Sequence, residues 1–329
     1  MAAPDQIDGF AVARPRFSVV IPTYRRADFL REAVASVLAQ RRPADQIIVV
    51  SDGSDSEAAG VAERAGVHFI EIEHGGVARA RNAGIEAATA DWVCFLDDDD
   101  LYHPDYLAEL DAYVAAHPAA EAVNTQYWKF SATPADQADL IGADLDTLVE
   151  SSRVVQPVSD MTYLNIEGRS YDLLLGGLRG NLSSSAVRRA RLIQAGGFPA
   201  GAICAEDWTM FVNVARYVEW HVIERRLVFM RMHAGNNTHQ RAVLNGIHTL
   251  RAFGEVWQDV SRPTPPHRPV NAYRIDYRFM LRAGLDSARR ARDWAAYRKM
   301  LVAARPLLPR RIDRVRAMVP PSLHQRFRP

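Results

Sequence analysis

Residues Trp92-Val93-Cys94-Phe95-Leu96 run without a break into Asp97-Asp98-Asp99-Asp100, and Leu101-Tyr102-His103-Pro104 follows. An apolar run this short and this rich in strand formers reads as a buried strand of an α/β sheet. The carboxylates then emerge where the strand leaves the core, the edge at which open α/β sheets bind ligands. Four adjacent acids repel one another, and a turn needs only one Asp to cap the helix expected from about Pro104. The cluster therefore calls for a compensating cation, and hard carboxylate oxygens suit Mg²⁺ or Mn²⁺. Taken alone, the stretch also reads as a solvated acidic turn.

The residues before it set the architecture. Phe17-Ser18-Val19-Val20-Ile21-Pro22 is a first strand stopped by proline, and the loop Thr23-Tyr24-Arg25-Arg26 follows. Asp28 stands where a helix N-cap belongs, with Phe29, Leu30, Ala33, Val34, Val37 and Leu38 on one helical face. Gln46 to Val50 is a second strand running into Ser51-Asp52-Gly53-Ser54-Asp55, where Asp55 is the expected cap of the next helix. Val67 to Ile72 makes a third strand, Gly75-Gly76 a turn, and Val77 to Ala88 a third helix. This alternation predicts a doubly wound, mostly parallel, Rossmann-like α/β sheet with right-handed crossovers. Neither GxGxxG after the first strand nor GxxxxGK[ST] is present, which weakens dehydrogenase and P-loop readings.

Beyond Ala120 the pattern loosens. Glu121 to Phe130 reads as a strand and Ser131 to Gln156 as a polar, irregular excursion. Regular signals return at Gly180 to Val187, in a short helix over Arg188 to Ala195, in a helix opened by Glu206-Asp207-Trp208, and in a strand from Val222 to Met230. Pro263 to Pro269 reads as a linker, and Tyr273 to Ala303 as one arginine-studded helical segment.

Charge is segregated along the chain. Residues 250–329 hold 18 Lys+Arg against 6 Asp+Glu, a net +12, whereas residues 1–249 carry 22 against 33, a net −11. An acidic body thus carries a basic tail, readable as a brace on the body, a contact with anionic lipid or a phosphorylated carrier, or a nucleic-acid contact. No zinc-finger or RNA-recognition signature supports the last, so no nucleic-acid partner is expected. Two cysteines without a CxxC pair exclude a disulfide scaffold and a thiolate zinc cluster. Neither a spanning helix nor a secretory leader is evident, so a cytoplasmic location is expected, with membrane association at the inner face.

Six separated stretches together resemble the family 2 glycosyltransferases, inverting enzymes of the GT-A fold that use nucleotide-diphosphate sugars. They are Val19 to Arg26, Ile48 to Asp55, Ala78 to Ile85, Phe95 to Asp100, Gly196-Gly197-Phe198 with Glu206-Asp207-Trp208, and Arg231 to Asn237. The resemblance implies an arm over 1–16, a nucleotide-sugar-binding half over 17–120, an acceptor-binding half over 121–249 of the same domain, and a basic helical C-terminal extension over 250–329.

It also implies roles. Pro22, Thr23, Tyr24 and Arg26 leave the first strand to meet the nucleotide, with Tyr24 stacking on the base. Asp52 accepts from a base N–H, though an N-cap is open to it too. Arg79 and Asn82, three apart on a helix, point together at the nucleotide, whereas Arg81 points elsewhere. Within the family's Asp-x-Asp pattern Asp97 resembles a ribose acceptor and Asp99 a metal ligand. Asp98 counts with the nucleotide set, and the register is ambiguous by one. His233 resembles a metal or diphosphate contact. Asp207 resembles the base that deprotonates the acceptor, Glu206 its helper, and Trp208 flanks the acceptor. The expected cofactor is Mn²⁺ or Mg²⁺. The expected donor is a UDP-sugar, with dTDP- and GDP-sugars open, and the acceptor is a saccharide, a lipid-linked glycan or a small molecule. Two rivals remain from the residues alone. One is a sugar nucleotidylyltransferase, which needs a glycine-rich loop after the first strand, and the other is a non-catalytic sugar-nucleotide or glycan-binding module.

Overall fold

The structure is a computed structural model in which residues 14–130, 155–157, 166, 168–177, 180–202, 204–233, 242–259, 261, 270–305, 308, 311, 314 and 318 are described. Most of the excursion expected over Ser131 to Gln156, the linker from Pro263 to Pro269, and Ala234 to Asn237 lie outside them. Nine strands among the described residues form one sheet: β1 (Phe17–Thr23), β2 (Gln46–Asp52), β3 (His68–Ile72), β4 (Trp92–Phe95), β5 (Leu101–Tyr102), β6 (Ala122–Phe130), β7 (Val155–Pro157), β8 (Ser185–Arg188) and β9 (Trp220–Arg231). Their order is β3-β2-β1-β4-β8-β6-β9-β5, with β7 on β6. β1 to β4 pair in parallel, β8 runs antiparallel between β4 and β6, and β9 returns parallel to β6. β1, β2, β4, β6 and β9 therefore end on one edge, as the alternation of elements predicts.

Both faces of the sheet are covered, which is why its strands read as continuous apolar runs rather than alternating ones. Val20, Ile48, Val50, Val93 and Phe95 face one core. Val19, Ile21, Val49, Cys94 and Leu96 face the other, against α1 (Ala27–Leu38), α2 (Ser56–Ala65) and α4 (Tyr106–Ala116). On the first face α3 (Val77–Ala87) lies so close to β1 that a Cβ at Gly84 would fall 2.3 Å from Val20 Cγ1.

Helix caps follow local chemistry. Asp55 accepts from the N–H groups of Glu57 and Ala58, as expected of it. Asp28 does not cap α1: the N-cap is Arg26, and Asp28 sits in the first turn paired with Arg31 at 3.0 Å.

Among the described residues, α5 (Ser170–Leu174), α6 (Arg189–Ala195) and α7 (Glu206–Ala215) are followed by α8 (Ala242–Gln258), α9 (Val270–Arg290) and α10 (Trp294–Ala303). The helical segment expected over Tyr273 to Ala303 is divided between α9 and α10, because Arg292 takes a left-handed φ of 54° and Asp293 caps α10 by accepting from Ala296 N–H. These helices share the first core: Phe253 stacks on Trp208 at 3.8 Å and 7°, Trp257 lies 5.5 Å from Tyr273 and 5.7 Å from Tyr277, and Arg216 donates to the Val256 carbonyl. No described helix is long and apolar enough to cross a membrane.

Candidate active site

The four aspartates form a turn, not an extended tip. Asp100 N–H donates to the Asp97 carbonyl at 3.0 Å, so the alternation of an extended chain, Asp97 with Asp99 and Asp98 with Asp100, does not hold. Instead Asp97, Asp99 and Asp100 each offer a carboxylate oxygen within 4.8 Å of the others. Asp98 turns inward, accepting from the Thr23 hydroxyl at 2.7 Å and pairing with Arg26 at 2.6 Å. Burial first, with Arg26 opposing and Asp99 adding, pushes the Asp98 carboxyl up to about 7. Burial and the Asp99 and Asp97 charges likewise raise Asp100. Three crowded, partly desolvated carboxylates of hard oxygen fit Mg²⁺ or Mn²⁺, the group that the composition of the turn calls for. Asp99 also accepts from Arg26 at 2.8 Å and lies 3.0 Å from His233 Nε2.

The turn is held from two sides. Ser183, in the short helical turn before β8, donates to Asp100 at 2.6 Å and accepts Asp97 N–H at 3.1 Å. Arg231, at the end of β9, gives its backbone N–H to Asp100 at 2.9 Å and its Nε to the Asp99 carbonyl at 2.7 Å. Its guanidinium is fully buried between the Phe29 and Phe130 rings, 4.8 and 4.7 Å from their centroids, and pairs with Glu32 at 2.6 Å.

On the other flank α3 projects Arg81 from its buried stripe, one turn on from Ala78. Its guanidinium bridges Asp97 at 2.7 Å and Glu206 at 2.9 Å. A buried cation needs such partners. Glu206 and Asp207 open α7 after Ala205, whose φ of 60° turns the chain into the helix. Loss of water, then the Glu206 charge, pushes the Asp207 carboxyl up to about 6, against the Trp208 N–H that it accepts and the Arg81 charge. An acid so poised beside a cation site suits proton transfer near neutral pH.

At the far end of the edge Asp52 accepts Gly75 N–H at 2.8 Å and Gly76 N–H at 2.9 Å. It thereby fixes the turn that opens α3, where Gly76 takes φ 93°. Tyr24 stacks on His74 at 4.5 Å, with Arg25 5.2 Å from the Tyr24 ring centroid. Tyr24 is 41% exposed.

Thus the structure gathers Thr23, Arg26, Asp97, Asp98, Asp99, His233, Glu206 and Asp207, with Pro22 in β1 behind Thr23, and sets Asp52 and Tyr24 at the end of the same edge. Two expected residues serve other ends. Asn82 spends both ends of its amide on Phe198, donating to its carbonyl and accepting its N–H, each at 2.9 Å, so it holds the Gly197-Phe198 turn. Trp208 is 2% exposed, donates to the Leu174 carbonyl at 2.7 Å and stacks on Phe253, so its ring is core and not an acceptor wall. Arg79 is exposed, its side chain folded over Gly75. Arg81, expected to point elsewhere, points into the site. A charged residue on the apolar stripe Ala78, Arg81, Ile85 was the available signal. Ser183 carried no such signal, because its role comes from a segment distant in sequence, whereas Asp100 lay within the one-residue ambiguity of the aspartate register and Arg231 opened the last matching stretch without a role of its own.

Residues 18–148 match the model of glycosyl transferase family 2. A protein of Rickettsia prowazekii named as an uncharacterized glycosyltransferase is 38% identical over 92 residues, which is 27% of this chain and 29% of that one. The succinoglycan biosynthesis protein ExoW of Rhizobium meliloti is 40% identical over 107 residues, 30% of this chain and 33% of that one. These matches thus span about a third or less of either relative. Among solved structures, S. aureus TarS 1-349 in complex with UDP superposes with a TM-score of 0.60 at 15% identity, covering 92% of this chain and 88% of that one. The mannosyltransferase PcManGT from Pyrobaculum calidifontis, in complex with GDP-Man and Mn²⁺, gives 0.51 at 18% identity over 93% and 84%. The likeness to glycosyl transferase family 2 is thus carried by residues 18–148, and the fold around them is that of the GT-A enzymes.

Proposed function

We propose that the chain transfers a sugar from a nucleotide-diphosphate sugar to an acceptor hydroxyl with inversion, in the assembly of a glycan, a glycolipid or a glycosylated natural product. The observation that carries this is the placement of Asp207, the acid pushed up to about 6, one bridging arginine away from the carboxylates of the aspartate turn. Asp207 takes the proton of the acceptor hydroxyl. That oxygen attacks the anomeric carbon, and the bond to the diphosphate breaks with its electron pair leaving on the phosphate oxygen. Glu206 keeps Asp207 basic by charge repulsion, and Arg81 fixes Glu206.

Asp99 and Asp100, with Asp97 and His233 beside them, would hold Mn²⁺ or Mg²⁺, which when bound neutralises the departing diphosphate. Arg26 faces the same turn and adds positive charge there. Asp52 and the exposed Tyr24 side chain receive the base, and Arg79 the exposed side of the nucleotide. A UDP-sugar is the first donor proposed. The structural neighbours named above were solved with UDP and with GDP-Man, which keeps both bases in view. The acceptor-binding half is assigned to residues 121–249, and the helices from 250 onward brace it through the Phe253 and Trp208 stack.

The test is a panel of UDP-, dTDP- and GDP-sugars with Mn²⁺, read as donor hydrolysis and as calorimetric binding. Cation-dependent uptake of one donor supports the reading. Uptake of sugar 1-phosphate and nucleoside triphosphate instead would make the chain a nucleotidylyltransferase, and binding without turnover on any acceptor would make it a binding module.

A further inference from the structure

The strongest feature that the active site leaves unused is the outer surface of the α9–α10 corner. The inner face of α10 is committed: Ala296, Met300 and Ala304 are buried, and a Cβ at Gly284 of α9 would lie 3.0 Å from Met300 Sδ. The opposite face carries Trp294, Arg298, Lys299, Val302 and Arg305, all exposed, and Arg289, Arg290 and Arg292 at the corner continue it. Trp294 is 56% exposed and Val302 54%, among the largest apolar exposures on the described chain. Arg289 pairs with Asp286 at 3.0 Å, whereas Arg290, Arg292, Arg298, Lys299 and Arg305 have no ion pair among the described residues. Residues 286–305 hold six basic and two acidic side chains, in a tail of net +12 on a body of net −11.

We infer that this face docks the protein on an anionic lipid surface. A solvated basic face has no use for an open indole and an open valine. A bilayer interface has use for both kinds of group, since phosphate headgroups attract the guanidinium and ammonium groups while the indole and valine settle at the acyl boundary. Trp294, Arg298, Val302 and Arg305 fall within one third of the helix circumference, so they reach a plane together. The docking does not depend on the glycosyl-transfer reading.

The experiment uses the full chain and sedimentation with vesicles of phosphatidylcholine alone or with phosphatidylglycerol. The expected result is binding to the phosphatidylglycerol vesicles only, released by salt. The Arg298→Gln/Lys299→Gln double variant should lower that affinity about thirtyfold, from about fivefold per basic residue near the surface. Trp294→Ala should weaken it too and abolish the blue shift of tryptophan emission on binding. All three positions are exposed, so melting curves should match the parent. No uptake by anionic vesicles, or uptake indifferent to both variants, overturns the inference. Equal binding to double-stranded DNA of random sequence also overturns it, making the face a general polyanion surface. Donor binding measured on the same preparations tests the glycosyl-transfer reading separately.

Discussion

Arg81 reaches Glu206 at 2.9 Å across 125 residues of sequence, and its other arm reaches Asp97 at 2.7 Å. One side chain thus ties the start of α7, where the proposed base sits, to the aspartate turn. Arg81→Gln should keep a donor to each acid but lose the charge. With Glu206 no longer offset, the Asp207 carboxyl should rise and the acid limb of the kcat/KM profile should move to higher pH. A role in packing alone would leave that limb in place. Arg81→Ala leaves the half-buried Asp97 and Glu206 without their cation and should cost about 1–3 kcal/mol of stability by denaturant unfolding.

Asp207→Asn removes the proposed base without changing shape. Turnover should fall about 10²–10⁴-fold while donor affinity stays within about twofold. In the parent a base must be ionised, so kcat/KM should climb about tenfold per pH unit below about pH 6 and level off above it. A flat profile between about pH 5 and about pH 7, or an active Asn variant, would remove Asp207 from the role.

Chelation should abolish transfer, and added Mn²⁺ should restore it. At a concentration of about 100 times its Kd the ion should also stabilise the fold by about 2.7 kcal/mol, visible as a raised Tm. Asp99→Asn and Asp100→Asn should each weaken Mn²⁺ binding in calorimetry, because both carboxylates belong to the crowded set that would hold the ion. Asp98→Asn should weaken it less, since that carboxylate is turned to Thr23 and Arg26.

Gly84→Ala should destabilise the protein by about 1–3 kcal/mol, because a methyl group there meets Val20 at 2.3 Å and α3 must lift from β1. Lifting α3 also moves Arg81, so activity should fall further than the change in melting temperature accounts for.

The first half of the fold was legible because β1 to β4 and α1 to α3 follow one another in sequence as they do in space, and each strand buried on both faces shows as an apolar run. The acidic cluster announced a cation for the same local reason. Its geometry was not legible, since a turn closed by Asp100 N–H and the Asp97 carbonyl looks identical in sequence to an extended tip. Arg81, Ser183 and Arg231 escaped because each earns its place from a partner more than 15 residues away, and in a chain with 38 arginines no single one stands out. Trp208 misled for the converse reason: its neighbour Asp207 faces the site, but the indole turns to Phe253 of α8, which lies at the start of the expected helical extension and 45 residues on in sequence.

β9 gains three residues on β6 over the length of their pairing. The offset between partners is 98 at Ala122 and Trp220 and 101 at Phe130 and Arg231, with the irregularities between Thr125 and Tyr127. Those extra residues work as a spacer that sets the phase of the strand. Without one of them every side chain from Val228 to Arg231 would change face, and the guanidinium now gripped by Phe29 and Phe130 would exchange sides with Met230. A deletion in β9 would therefore pull Arg231 from the aspartate turn while leaving the sheet intact, and the length of a bulge becomes as much a part of the candidate site as the acids it aligns.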